Sequence, residues 1–187
     1  MDAEKLDLVE AQIDIGVRVG QPQPLMIVRR IADIRERIVA APGLLARCGM
    51  PDSLQDLHRR FPVSSLLNPS TGLVWGWALN ENQIIAPRQT RFVTNDPYAE
   101  LSLALAGQCC ALIADTLCAD YLASGNLVEL FPEWLRKSWL MYIYRPQRGV
   151  TATRVLRVFE WLEDILQRYY GETRLENLLR NRKTNGG

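Results

Sequence analysis

The sequence predicts an α/β fold, because short apolar, strand-like segments alternate with helical ones along most of its length. Two further features support that class. Clusters of Gly, Pro and small polar residues separate the segments, and a long stretch near the end has apolar residues recurring at helical spacing. The 187 residues are 48% hydrophobic and 23% charged, enough apolar surface to offset the entropy lost on ordering.

Residues 5–12 are expected to be helical. Ile13-Asp14-Ile15-Gly16-Val17-Arg18-Val19-Gly20 then alternates apolar with polar or small residues, the period of a strand. The breakers Gly20-Gln21-Pro22-Gln23-Pro24 make a loop. Residues 26–41, rich in Ile, Val and Arg, read as extended, and Pro42-Gly43 opens a short helix that stops at Gly49. Asp52 is expected to cap the next helix, with Leu54, Leu57 and Phe61 on one face. Residues 63–67 form a short strand, Asn68-Pro69-Ser70-Thr71-Gly72 a turn, and Trp75 and Trp77 alternate about Gly76 as a strand. Residues 83–93 read as extended and irregular.

Asn95-Asp96-Pro97 starts a helix that runs to about Gly107, with a capping side chain followed by Pro in the first turn. A buried strand at 110–113 follows, then a helix at 115–122 ended by Ser124-Gly125, then strands at 127–131 and 139–144. In residues 153–170, Val155, Phe159, Leu162, Ile165, Leu166 and Tyr169 form one apolar stripe at helical spacing. The polar tail at 181–187 is expected to be disordered.

Charge and composition set several functions aside. Twenty-two Lys and Arg against 21 Asp and Glu leave a net charge of +1, whereas a domain that tracks phosphates is usually more basic. No apolar stretch reaches the length of a membrane span. The start, Met-Asp-Ala-Glu-Lys-Leu-Asp, has no basic region before an apolar run, so it does not read as a secretory signal. Cys48, Cys109, Cys110 and Cys118 read as buried or half-buried free thiols in a reducing cytoplasm. No close Cys and His spacing favours a metal site, and no cofactor motif is present: Gly-x-Gly-x-x-Gly and Walker sequences are both missing.

No catalytic residue emerges. A serine hydrolase needs a nucleophile elbow and a His base, and the single histidine, His58, reads as a solvated helix residue beside Arg59 and Arg60. Asp14 reads as a loop cap rather than a catalytic carboxylate. Cys109-Cys110 reads as inert thiols, since a reactive thiolate needs nearby positive charge. Most of the five Trp read as core or lobe-interface residues. The helix carrying Arg59-Arg60 lacks the partner helix of a DNA-reading pair.

A positive pattern lies in the polar turns. Arg18, Asn68, Ser70, Thr71, Thr94 and Asn95 all fall at expected strand ends or helix starts. In open α/β sheets such positions face the ligand crevice, helix starts and small hydroxyls suit anions, and an Arg adds a charged fork. Each residue taken alone is equally an ordinary turn or cap residue.

Three stretches resemble the effector-binding (regulatory) domain of LysR-type transcriptional regulators. They are residues 6–20, with Ile13-Asp14-Ile15-Gly16-Val17-Arg18-Val19-Gly20; residues 39–57, with Ala41-Pro42, Gly49-Met50-Pro51 and Asp56-Leu57; and residues 93–130, with Val93-Thr94-Asn95-Asp96 and Ser124-Gly125-Asn126-Leu127. Tyr142-Ile143-Tyr144-Arg145-Pro146 and the last helix extend the likeness to about residues 5–170. The resemblance implies a periplasmic-binding-protein-like type 2 fold of two α/β lobes joined by crossing strands, with a small metabolite in the cleft. It places residues 1–36 and 145–175 in a first, incomplete lobe, 37–144 in a second, and 176–187 in a flexible tail. By motif, the Asn68 to Gly72 loop and the step at Val93 to Asn95 would line the cleft, with Arg18 approaching from the other lobe. Where the family has Gly-x-Gly-Ile-x-x-x-Pro, this chain reads Gly107-Gln108-Cys109-Cys110-Ala111-Leu112-Ile113-Ala114. The family's N-terminal helix-turn-helix, linker helix and first strand–helix–strand have no counterpart in this sequence, so it reads as N-terminally truncated.

The expected function is therefore ligand sensing without catalysis. The effector would be an organic acid or aromatic metabolite, DNA would be reached only through a missing N-terminal domain or a partner, and the chain would act as a cytoplasmic homo-oligomer away from membranes. The alternative is a stand-alone solute-binding protein of the same fold. An enzyme is the third reading, weakened by the lone histidine.

Overall fold

The computed structural model of the chain describes residues 13–68, 71–80, 83–85, 90–132, 138–147 and 150–184, with backbone alone at 78–80, 83–85 and 172–184. Its elements are β1 (Gly16–Val19), β2 (Met26–Ala40), α1 (Pro42–Cys48), α2 (Leu54–Arg60), β3 (Val63–Leu66), β4 (Trp77–Asn80), β5 (Gln83–Ile85), β6 (Thr90–Thr94), α3 (Pro97–Leu105), β7 (Ala111–Ala114), α4 (Asp115–Ala123), β8 (Val128–Leu130), β9 (Ser138–Pro146) and α5 (Thr153–Thr184). Strands and helices alternate as the sequence predicts. The helix expected at 5–12 lies outside the described residues. The chain falls into two compact units, Met1–Ile34 with Ser138–Gly187, and Arg35–Lys137.

In the first unit β1 pairs antiparallel with β9, Gly16 opposite Tyr144 and Val19 opposite Met141, and β9 is also neighbour to β2. Glycine is required at position 16, because a Cβ there would run into the Tyr144 ring. Tyr142 and Tyr144 form a buried cluster here, with Ile13, Met26, Val28 and Leu140 packed on them, and Ile34, Ile143 and Phe159 are buried as well. Tyr142 Oη donates to the Gln21 carbonyl at 3.1 Å, which satisfies the buried phenol.

Helix α5 differs from expectation in three ways. It runs to Thr184, so residues 181–184, expected in a disordered tail, are helical. Of its apolar stripe, Phe159 is buried, whereas Ile165 and Tyr169 are exposed. Trp161 is 61% exposed, so it is not one of the core tryptophans the composition favoured.

The second unit is a sheet covered on both faces. The far part of β2 pairs antiparallel with β7 and with β8. β3 and β6 run parallel, and a parallel bridge from Val63 to Cys110 joins β3 to the start of β7. Consecutive residues of β2 alternate between two cores. Ile38 and Ala40 pack with Leu44, Leu54, Leu57 and Phe61 from α1 and α2. Val39 and Ala41 pack with Leu101, Ala104 and Cys118 from α3 and α4. Strands buried on both faces carry unbroken apolar runs, which is why residues 38–41 and 110–113 show no polar alternation. Across β2 and β8, Arg37 Nη1 donates to both Glu129 carboxylate oxygens, at 3.0 and 2.8 Å.

Two expectations about α2 change. Its cap is Ser53, not Asp52: Ser53 Oγ accepts the Asp56 N–H at 3.1 Å. Asp52 instead supplies its backbone N–H to the Asp56 carboxylate at 3.1 Å, so Asp56 reaches back to the residue before the cap. His58 is not a solvated residue. Both its ring nitrogens are buried, and its ring stands 5.4 Å from that of Trp77, itself 2% exposed. Trp75 precedes β4 rather than lying within it.

Candidate functional site

The parallel pair β3 and β6 sets up one polar edge. In their register Leu66 stands opposite Thr94, and the Leu67 N–H donates to the Thr94 carbonyl at 2.7 Å. Both strands therefore end side by side, and the chain goes on through Leu67 to Asn68 on one and directly to Asn95 on the other. Beyond β3 the chain folds back tightly. Asn68 N–H donates to Leu73 O and Gly72 N–H to Asn68 O, both at 2.8 Å, and Trp75 N–H returns to Leu66 O at 2.8 Å. Gly72 holds φ at +66°, a conformation that side chains with a Cβ rarely adopt. The buried Ser65 hydroxyl pins this return by donating to Trp75 O at 2.6 Å. Thr71 is exposed at the tip and its Oγ1 lies 3.4 Å from Leu73 N.

Beyond β6 the chain turns into α3. Thr94 Oγ1 accepts the Asp96 N–H at 3.0 Å, and the Asp96 carboxylate accepts the Tyr98 N–H at 2.9 Å. The Asn95-Asp96-Pro97 signature thus works as predicted, with Asp96 as the cap. Asn95 is exposed between these two contacts. The structure thereby brings Asn68, Thr71, Thr94 and Asn95 to one strand edge. Ser70 lies outside the described residues. Arg18 is on β1, in the first unit, where its guanidinium stands 6.0 Å from the centre of the Tyr144 ring.

The residues considered for catalysis are not equipped for it. Burial pushes the Cys109 thiol up to about 11 and those of Cys110 and Cys118 up to about 12, so all three stay protonated and weakly nucleophilic. All four cysteines are free, with Cys48 half-buried. Burial also lowers the proton affinity of His58. Among the described residues no cluster of His, Cys, Asp and Glu could hold a metal ion. Also among them, no helix is long and apolar enough to cross a membrane.

Sequence reasoning missed one group behind this edge. Glu100, on α3, is 1% exposed and accepts the Ser64 hydroxyl at 2.7 Å on Oε1. Its signal was positional: Glu100 and Ala104 are four apart, so an acid occupies the face that otherwise carries core residues.

A sheet with helices on both faces, ending parallel strands at polar turns, together with a second α/β unit, is the periplasmic-binding-protein-like type 2 architecture of ligand-sensing regulatory domains. The LysR substrate binding domain model matches residues 2–167, and the chain belongs to that family, whose members are transcription regulators rather than enzymes. The HTH-type transcriptional regulator PtxR of Pseudomonas aeruginosa is 29% identical over 170 residues, 89% of this chain and 54% of that protein. DmlR of Escherichia coli is 25% identical over 178 residues, 92% of this chain and 56% of that protein. The chain thus spans about half the length of these relatives. Among solved structures, the regulatory domain of AphB from Vibrio vulnificus aligns with a TM-score of 0.70 at 24% identity, covering 88% of this chain and 80% of that one. The CrgA regulatory domain of Neisseria meningitidis gives 0.70 at 23%, covering 90% and 81%. At these identities the structural likeness establishes the fold alone.

Proposed function

We propose that this chain is the effector-sensing part of a LysR-type transcriptional regulator, binding a small organic acid or aromatic metabolite and catalysing nothing. DNA is contacted through segments outside this sequence or through a partner, and the working form is a cytoplasmic homo-oligomer. The reading rests on one observation above the rest. Two neighbouring parallel strands end together on hydroxyl and amide side chains, in a chain whose family is that of regulator domains. The proposed contacts are Asn68, Ser70, Thr71, Thr94 and Asn95, which offer donors and acceptors without a nucleophile. Arg18, on the first unit, is a separate candidate, proposed from the sequence pattern and the family resemblance alone. The effector acts by differential affinity: it shifts the protein between conformations only as far as it binds one better than the other.

A melting screen against organic acids and aromatic metabolites tests this. A ligand present at about 100 times its Kd stabilises by about 2.7 kcal/mol, a readily measured rise in Tm. Asn95→Ala is expected to reduce that rise with little change in the ligand-free Tm, whereas Thr94→Ala also removes the bond from the Asp96 N–H and should lower the ligand-free Tm as well. Arg18→Gln reports whether the first unit contributes. No rise with any member of a broad panel counts against the reading. Sequence-selective DNA binding by this chain alone at low salt overturns the assignment of DNA contact to other segments.

A further inference from the structure

Glu100 is an acid where a core residue would normally be. Its Oε1 accepts the Ser64 hydroxyl, while its Oε2 is buried with no hydrogen-bond partner. The groups around it come from every element packed on α3. From β3, Ser64 faces it, and Ser64 Oγ also lies 3.4 Å from the Cys110 carbonyl. Ser65 of the same strand is committed to Trp75. From the segment leading into β7 comes the buried thiol of Cys109, on which the Glu100 charge acts, whereas Cys110 packs into the opposite core beside Leu57 and Val63. From β2, the negative charge of Glu36 acts on it unfavourably. Arg91, the cation of β6, is exposed. Among the described residues no cation pairs with Glu100. Ionised, it is an unpaired buried charge, far less favourable than the neutral acid.

We propose that Glu100 is a proton-operated latch: as the neutral acid it stays buried beside Ser64 and Cys109 with the first turns of α3 seated on the sheet, and on ionising it becomes a buried charge that the single Ser64 bond does not offset, which draws it toward water and loosens those turns. Because α3 begins immediately after Thr94 and Asn95, the latch makes the proposed effector edge sensitive to pH. That consequence rests on the effector reading, whereas the latch itself does not.

Burial pushes the Glu100 carboxyl up to about 7; the Ser64 hydrogen bond opposes this and Glu36 adds to it. An acid with a raised value stabilises the folded state fully below the ordinary carboxylate range, and that contribution is lost as pH rises through about 7. His58 works in the opposite direction. Its proton affinity is lowered by burial, so its contribution is lost as pH falls. The two slopes have opposite signs and are separable. Cys109 and Cys110 stay protonated throughout this window.

Carboxyl 13C NMR of the full chain from pH 4 to about 9 should show one glutamate titrating near 7, against about 4 for an ordinary one. That signal should be missing in Glu100→Gln. Ser64→Ala removes a bond that favours the charge, so it should move the midpoint higher. Over the same range, hydrogen-exchange protection at Tyr98 to Leu101, corrected for intrinsic rates, should fall with the same midpoint. In Glu100→Gln it should not. A Glu100 midpoint in the ordinary carboxylate range, or protection that does not follow the titration, overturns the latch. If Glu100→Gln fails to fold, the wild-type and Ser64→Ala titrations decide. No ligand enters these measurements, so an empty metabolite screen would remove the effector reading and leave the latch standing.

Discussion

The two units solve the same problem with very different amounts of buried material. In the second, the sheet is walled by helices on both sides and β2 feeds both cores residue by residue. In the first, the buried core cluster is a tyrosine pair, and apolar residues such as Val17, at 46% exposure, and Trp161 face solvent. The difference teaches where the folding energy is concentrated. Stability should depend steeply on the second unit's apolar side chains and much less on the first unit's exposed ones.

The sharpest way to break that contrast is core truncation. Ile38→Ala or Leu57→Ala, each at a fully buried position, is expected to lose about 2–5 kcal/mol in urea denaturation. A loss below about 1 kcal/mol would mean the doubly covered sheet is not the source of stability. Gly16→Ala probes the weaker unit at its tightest contact. Forcing a methyl into the Tyr144 ring is expected to cost about 1–3 kcal/mol and to disturb tyrosine near-UV circular dichroism. Ser53→Ala removes the α2 cap and should cost about 1 kcal/mol. At the bottom of the scale, Val17→Thr should stay within about 0.5 kcal/mol. A larger effect there would reveal that this face is covered in solution.

A pH comparison sharpens the picture further. Asp56 is held well below the usual carboxylate range, first by its hydrogen bond from Arg60, with the Asp52 N–H and Arg59 adding to it. Its contribution is therefore present above the ordinary carboxylate range and is lost as pH falls through the lowered value. Wild type and Asp56→Asn should differ in Tm at neutral pH and converge in strong acid. Because its partners Arg59 and Arg60 reach solvent, the difference should shrink in high salt.

Elements bounded by strong local chemistry were readable from the residues. Pro42-Gly43 and Asn95-Asp96-Pro97 start helices for reasons confined to a few positions, and the structure starts helices at both. The same locality placed Thr94 at a strand end and Asn95 just beyond it, because a helix start after a strand marks where the strand stops. Asp52 was read as a cap, but the neighbouring Ser53 is as good a cap type and only backbone geometry decides which side chain turns inward. His58 was misread because the ring that buries it, Trp77, comes from a strand far along the chain. Helix α5 outruns its apolar stripe, so nothing periodic announced its last turns. The spacing of Glu100 marked its face as buried, but not what it meets there: its partner, Ser64, is 36 positions away.

Strand β2 carries a stricter requirement than composition alone conveys. Since Ile38 and Val39 serve opposite walls, inserting one residue before them would exchange the two sets, sending the bulky isoleucine toward Cys118 and the smaller valine toward Leu57. Inserting two would restore every side chain to its own wall. Homologues that differ in length along this strand should therefore do so by even steps, and a library of insertions here should show survivors alternating with failures.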